Sequence, residues 1–289
     1  MGLVDPFLNV YTDMVAQSRV QHDRVLSLDN IYQESHKANR EVFLSIAVNF
    51  LKAGSGIDGL ENLVRLGELS AQGHSCLIFS EHISNLDVPA FWMLMRLAGP
   101  EYVELFDRIV FIAGRKLNEE SGVVKIFAEM FARIVISPKS FYDSLPDGAE
   151  KDRLAAEAQA FNTAAYRKIC EFRSKGRILL VFPAGTRYRP WDPATGRGIR
   201  EAEGYLRSFQ YFLFAAFDGN LMPPERSIEM EDETPRADKM RLHFSPVEDA
   251  ARFRQRLVAE HSEQGGAGLP DVKQFIVDKI MEGIAALHG

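Results

Sequence analysis

The sequence is poor in the features that mark several protein classes. It has two cysteines in 289 residues, Cys76 and Cys170, far apart and without a C-x-x-C partner. That argues against a disulfide framework or a zinc site and fits a reducing cytoplasm. Cys76, at the head of the apolar run in GHSCLIF, reads as a core residue. Long apolar runs are missing too, since no stretch approaches the roughly 18–20 residues of a membrane-spanning helix. The expectation is a cytoplasmic protein, soluble or in peripheral contact with a membrane surface. The opening MGLVDPFLNVYTDMVAQ has no basic stretch ahead of an apolar core and does not read as a secretory signal. Pro6 stands where a myristoylation start wants Ser or Thr. Positive charge is not in excess: 34 Lys and Arg against 40 Asp and Glu leave a net charge of −6. General nucleic-acid binding is disfavoured, whereas a few clustered arginines can still hold a small anion.

Within this ordinary globular composition the pattern changes along the chain. The first seventy residues read as helical, with EVFLSIAVNFLKAG ending in Gly54 and IDGLENLVRLGELSAQG repeating the form. After them, short apolar runs alternate with amphipathic stretches. SCLIFS (75–80), RIVFIA (108–113), RIVISP (133–138), RILLVFP (177–183) and MRLHFSPV (240–247) are strand candidates. Helices are expected near 87–98, 120–132 and 153–175, and the tail 271–289 carries one apolar helical stripe. Segments 143–152 and 217–239 read as polar loops. The spacing predicts a helical region over 1–70 and an α/β domain over 71–289. Its sheet should be mixed but largely parallel, with helices covering both faces.

Chemistry-bearing residues follow the strand candidates, where α/β sheets gather their ligands. In LIFSEHISNLDVPAFW, His82 comes just after a strand and Asp87 opens a helix whose first turn accepts Pro89. Asp87 can hold one ring nitrogen and leave the other free to take a proton from a hydroxyl. The bland alternative is that Asp87 merely caps its helix. Ser84 lies nearby but has no G-x-S-x-G elbow around it. In RILLVFPAGTRYRPWDP, a glycine turn precedes Arg187 and Arg189, which alternation in an extended segment would point the same way. With backbone N–H groups near Gly185 and Thr186 they form a candidate phosphate site. Arg115, Lys116 and Lys139 follow two other strands in the same relation. No ligand cluster for a metal is visible.

At these residues the chain resembles the glycerolipid acyltransferases, whose H-x4-D motif matches His82 to Asp87 and whose F-P-E-G-T-R motif matches FPAGTR. It is most similar to the soluble, plastid-type glycerol-3-phosphate acyltransferases. The matching segments are QGH (72–74), AGRK (113–116), Lys139, GTRYRPWDPATG (185–196) and MPPER (222–226), and the likeness covers roughly 40–250. Two departures stand out. Ala184 replaces the motif's glutamate, as in the plastid-type branch, and Lys139 stands where an arginine is usual.

The resemblance implies transfer of a fatty acyl group to the 1-hydroxyl of glycerol 3-phosphate, giving lysophosphatidate. His82 would be the general base and Asp87 its orienter. Arg187, Arg189, Lys139 and Lys116 would bind phosphate, with Gly185 and Thr186 as turn donors. No cofactor is implied beyond the co-substrate, acyl-CoA or acyl carrier protein; ARFRQR (251–256) is a candidate patch for the acidic carrier. The alternatives are a lysophosphatidate 2-O-acyltransferase and a catalytically silent lipid- or phosphate-binding module.

Overall fold

The structure, a computed structural model, describes residues 13, 14, 16, 26–115, 126, 128–138, 146–226, 233–265 and 271–288. Along the chain run β1 (Tyr32–Gln33), α1 (Lys37–Ala47), β2 (Gly56–Asp58), α2 (Leu60–Ala71), β3 (Cys76–Ser80), α3 (Asp87–Ala98), α4 (Pro100–Phe106) and β4 (Ile109–Gly114). Then come β5 (Arg133–Ile136), α5 (Ala149–Phe172), β6 (Ile178–Val181), α6 (Ala202–Ser208), β7 (Tyr211–Asp218), β8 (Arg241–Phe244), β9 (Glu248–Asp249), α7 (Ala250–Glu263) and α8 (Val272–Ala285). The α/β class expected from strand–helix alternation is the class observed.

The chain divides into two compact units, Met1–Ala47 with Val110–Phe172 and Val48–Ile109 with Arg173–Gly289. In the first, β5 lies between β1, antiparallel to it, and β4, parallel to it. Asn162 of α5 pins the end of β5, accepting from Ser137 N and donating to Ser137 O, each at 2.8 Å.

The second unit carries the order β6-β3-β7-β8-β2. β3 is parallel to both β6 and β7, β8 is antiparallel to β7 and parallel to β2, and β9 adds to β7. Every residue of β3 and β6 is buried, which is why both read as unbroken apolar runs instead of alternating ones.

Several features differ from expectation, β1 within the region expected to be helical among them. The sequence pattern predicts no strand at β7: residues 211–218 follow α6 with no glycine or proline between 205 and 218 to punctuate them, and 217–218 fall in a segment expected to be loop. Residues 56–58 form a strand where a helix was expected. Gly59 then turns the chain at φ 70°, where an added Cβ would sit 2.4 Å from the Phe244 carbonyl oxygen. Residues 149–152, read as loop, are the first turn of α5, which ends at Phe172. Of the helix expected near 120–132, most lies outside the described residues. None of the described helices is long and apolar enough to cross a membrane.

Candidate active site

β3 delivers the chain into a tight loop. His82 follows its end by two residues, and α3 begins at Asp87. The Asp87 side chain does not cap α3; the N-cap residue is Leu86, which makes no side-chain cap bond. Instead the carboxylate folds back over the loop. Its Oδ2 accepts from Ile83 N at 2.8 Å and Ser84 N at 3.0 Å, and lies 2.8 Å from His82 Nδ1. An oxygen that already accepts from two amides is the acceptor toward the imidazole as well, so Nδ1 carries the proton and Nε2 presents its lone pair. Asp87 also sits in the first turn of α3, where the helix dipole favours a negative charge.

The imidazole is held from outside its loop too. Its ring stacks on Phe182 at 4.3 Å between centroids and 20° between planes. The His82 carbonyl accepts from Tyr188 N at 2.7 Å, joining the loop after β3 to the loop after β6. The His82 side chain is 23% exposed against 1% for Asp87, so the base can be reached while its orienter cannot.

After β6 the chain turns at Pro183-Ala184. Gly185, at φ 68°, donates its N–H to the Phe182 carbonyl at 2.9 Å. That amide is therefore already engaged, and the donor offered at the turn narrows to Thr186 N–H, which has no partner among the described residues. Arg187 Nη1 donates to Glu233 at 2.7 Å. Arg189 Nη1 reaches Thr186 Oγ1 at 3.4 Å, and its backbone N–H donates to Thr195 Oγ1 at 2.8 Å. The two guanidiniums thus have different partners. Lys116 and Lys139 lie outside the described residues. Arg115 belongs to the other compact unit, where it pairs with Glu157.

Other sequence candidates have structural roles. Ser84 is buried, with Oγ donating to the Met222 carbonyl at 3.0 Å and accepting from Leu86 N at 3.1 Å, so its hydroxyl is already engaged. Burial pushes the Cys76 thiol up to about 12, against a weaker opposing pull from Arg108, which suppresses the thiolate. Of the ARFRQR arginines, Arg254 pairs with buried Glu203 at 2.6 Å and Arg256 approaches Glu248 at 3.8 Å. Arg252 is the only one of the three without an ion pair among the described residues, and the Arg256 side chain is exposed. No group of three or more metal-ligating side chains occurs among the described residues.

The acyltransferase family model matches residues 57–227, more than half of the chain and inclusive of both motif loops. The chain belongs to the acyltransferase family. Among solved structures, this acyltransferase is similar to the 1-acyl-sn-glycerophosphate (LPA) acyltransferase PlsC from Thermotoga maritima. The identity is 15% and the TM-score 0.44, over 97% of this chain and 91% of that one. No curated protein matches it.

Several residues around the acyltransferase's histidine escaped the sequence reading. Asn220, just after β7, donates to the Ile83 carbonyl at 3.0 Å and accepts from Met222 N at 2.9 Å. Asn85 and Glu233 meet at 2.8 Å. The two asparagines are not a residue type that motif logic selects, and Glu233 stands in no motif of the sequence. Asn220 and Glu233 reach the loop across more than 130 residues of chain, which no local pattern reports. MPPER carried the one usable signal, because Met222 holds the histidine loop through Ser84.

Proposed function

We propose that this acyltransferase moves a fatty acyl group from a thioester, acyl-CoA or acyl carrier protein, to the 1-hydroxyl of glycerol 3-phosphate. The observation that carries the reading is a reachable imidazole with Nδ1 held by Asp87, beside a serine whose hydroxyl is already engaged. Such a site suits a base acting on the acceptor's own hydroxyl better than an acyl-enzyme route.

His82 Nε2 takes the hydroxyl proton as the oxygen attacks the thioester carbonyl. The tetrahedral intermediate collapses, the C–S bond breaks, and the departing sulfur takes the proton back from the imidazolium. Asp87 stabilises that imidazolium and keeps the tautomer. Thr186 N–H is the backbone donor suited to the oxyanion. Arg187 and Arg189 bind the acceptor's phosphate and so fix its hydroxyl against the base. Lys116 and Lys139 join them on the strength of the resemblance alone.

The test is thiol release from palmitoyl-CoA and from palmitoyl carrier protein, with glycerol 3-phosphate or lysophosphatidate as acceptor. Turnover with glycerol 3-phosphate that disappears in His82→Ala supports the reading. Turnover with lysophosphatidate alone moves the substrate to the 2-position chemistry. Silence with every pair points to a binding module.

A further inference from the structure

Glu233 reaches the site from the segment beyond β7, and its side chain is 4% exposed, against 10% for Arg187. One of its oxygens, Oε2, accepts two bonds, from Arg187 Nη1 at 2.7 Å and from Asn85 Nδ2 at 2.8 Å. Asn85 lies inside the loop that runs from His82 to Asp87. A single carboxylate oxygen therefore links the loop of the base to the arginine of the next motif. Position 184, an alanine, supplies no carboxylate from the arginine's own turn.

The pairing leaves the arginine usable. Arg187 makes no other hydrogen bond among the described residues, so Nε and Nη2 keep their donors for a ligand. A guanidinium is a rigid planar fork, and fixing one of its N–H groups orients the rest. Removing the carboxylate would strand a nearly buried cation and free the Asn85 amide at once. An anion that only blocked Arg187 would have no need of Asn85; here the oxygen bonded to the arginine is the one bonded to the loop.

We propose that Glu233 is a positioning residue: it holds Arg187 at a set reach from His82 and thereby determines the enzyme's affinity for a phosphorylated acceptor. The inference rests on the acyl-transfer reading above. The reacting groups remain His82 and the two substrates, and Glu233 acts only through Arg187.

Steady-state kinetics on the whole chain test it, varying glycerol 3-phosphate and palmitoyl-CoA separately. In Glu233→Ala the KM for glycerol 3-phosphate is expected to rise about tenfold or more, while the KM for palmitoyl-CoA stays within about threefold. Glu233→Gln keeps one oxygen able to accept both bonds, so its acceptor KM should stay within about threefold of wild type. In an Arg187→Ala background, Glu233→Ala should add almost nothing, which a merely structural residue would not reproduce. If Glu233→Ala does not fold, Asn85→Ala severs half of the bridge and must raise the acceptor KM without moving the donor KM. An unchanged acceptor KM in these variants, or one that falls in Glu233→Gln because the carboxylate was repelling phosphate, overturns the proposal. A wild type silent with every phosphorylated acceptor overturns the acyl-transfer reading itself, and this inference with it.

Discussion

At the scale of single residues, the site separates chemistry from support. His82→Ala removes the proposed base, so turnover should fall by roughly 10²–10⁴ while glycerol 3-phosphate still binds; equilibrium titration beside the rate assay checks both halves. Asp87→Asn keeps an oxygen for Ile83 N and Ser84 N and so preserves the loop, but no longer stabilises an imidazolium. Its turnover should drop by about 10²-fold or more with the melting temperature near wild type. A parallel loss of folding would instead make Asp87 a loop brace. Cys76→Ala should leave kcat unchanged, since burial keeps that thiol protonated. The His82–Asp87 pairing was legible because it closes within five residues. The manner of closure was not, because a carboxylate at a helix start serves equally well as a cap, and only coordinates tell the two apart.

At the scale of elements, α3 ran where its pattern said, Asp87 to Ala98, and the five strand candidates all became strands. The fit of α8 against β7 was not readable from its stripe. Gly283 of α8 comes so close to β7 that an added Cβ would lie 2.4 Å from Phe214 Cε2. The Phe214 ring is itself buried and edge-packed against Phe212 at 5.1 Å. Gly283→Ala therefore sets a helix-propensity gain of about 1 kcal/mol against an overpacking cost of about 1–3 kcal/mol, and the cost should win. Gly204, in α6, has nothing within 4 Å of a built Cβ, so Gly204→Ala should stabilise by up to about 1 kcal/mol. Urea midpoints of the two variants should move in opposite directions, and matching shifts would contradict this packing. Gly67 makes the same point. A glycine inside a helix costs propensity, yet α2 runs through it, and Leu105 Cδ1 lies 2.5 Å from where its Cβ would be, so a larger residue fits there only if Leu105 moves.

At the scale of the whole molecule, a polar chain connects the segment before His82 to distant parts of the sequence. His288 lies 3.0 Å from Glu81 Oε2 and 2.8 Å from Asp218 Oδ1. Asp218 also meets His243 at 2.9 Å, and His243 in turn faces Asp58, the partner of Arg241. Burial pulls the His288 pKa down, but the bond to Asp218 and the charge of Glu81 outweigh it and hold the pKa above the ordinary value. A histidine raised on folding contributes its stability in full below about 6.5 and loses it as pH climbs through the folded value. Burial raises Glu81 as well, despite the Phe217 N–H and His288, so the folded state again favours its proton and loses stability as pH rises. Asp218 is depressed, chiefly by its bond to His288, and that contribution fades only in acid, below about 3.9. The melting temperature should therefore fall as pH rises from about 6.5 through the folded value of His288, and His288→Ala should flatten that slope. A variant as pH-dependent as wild type would move the effect elsewhere.

The sequence alone determined the α/β class, the positions of the motif loops and the short-range dyad, because strand burial, glycine turns and a five-residue closure are encoded where they occur. Tertiary structure decided what the loops hold. Strand order placed β7 beside β3 and so brought Asn220 to the Ile83 carbonyl, and a buried carboxylate 46 positions from Arg187 became that arginine's partner. Hydrogen bonds within a few residues follow from local backbone geometry. Bonds across more than a hundred residues exist only once the sheet has chosen its neighbours, and no spacing in the chain records that choice.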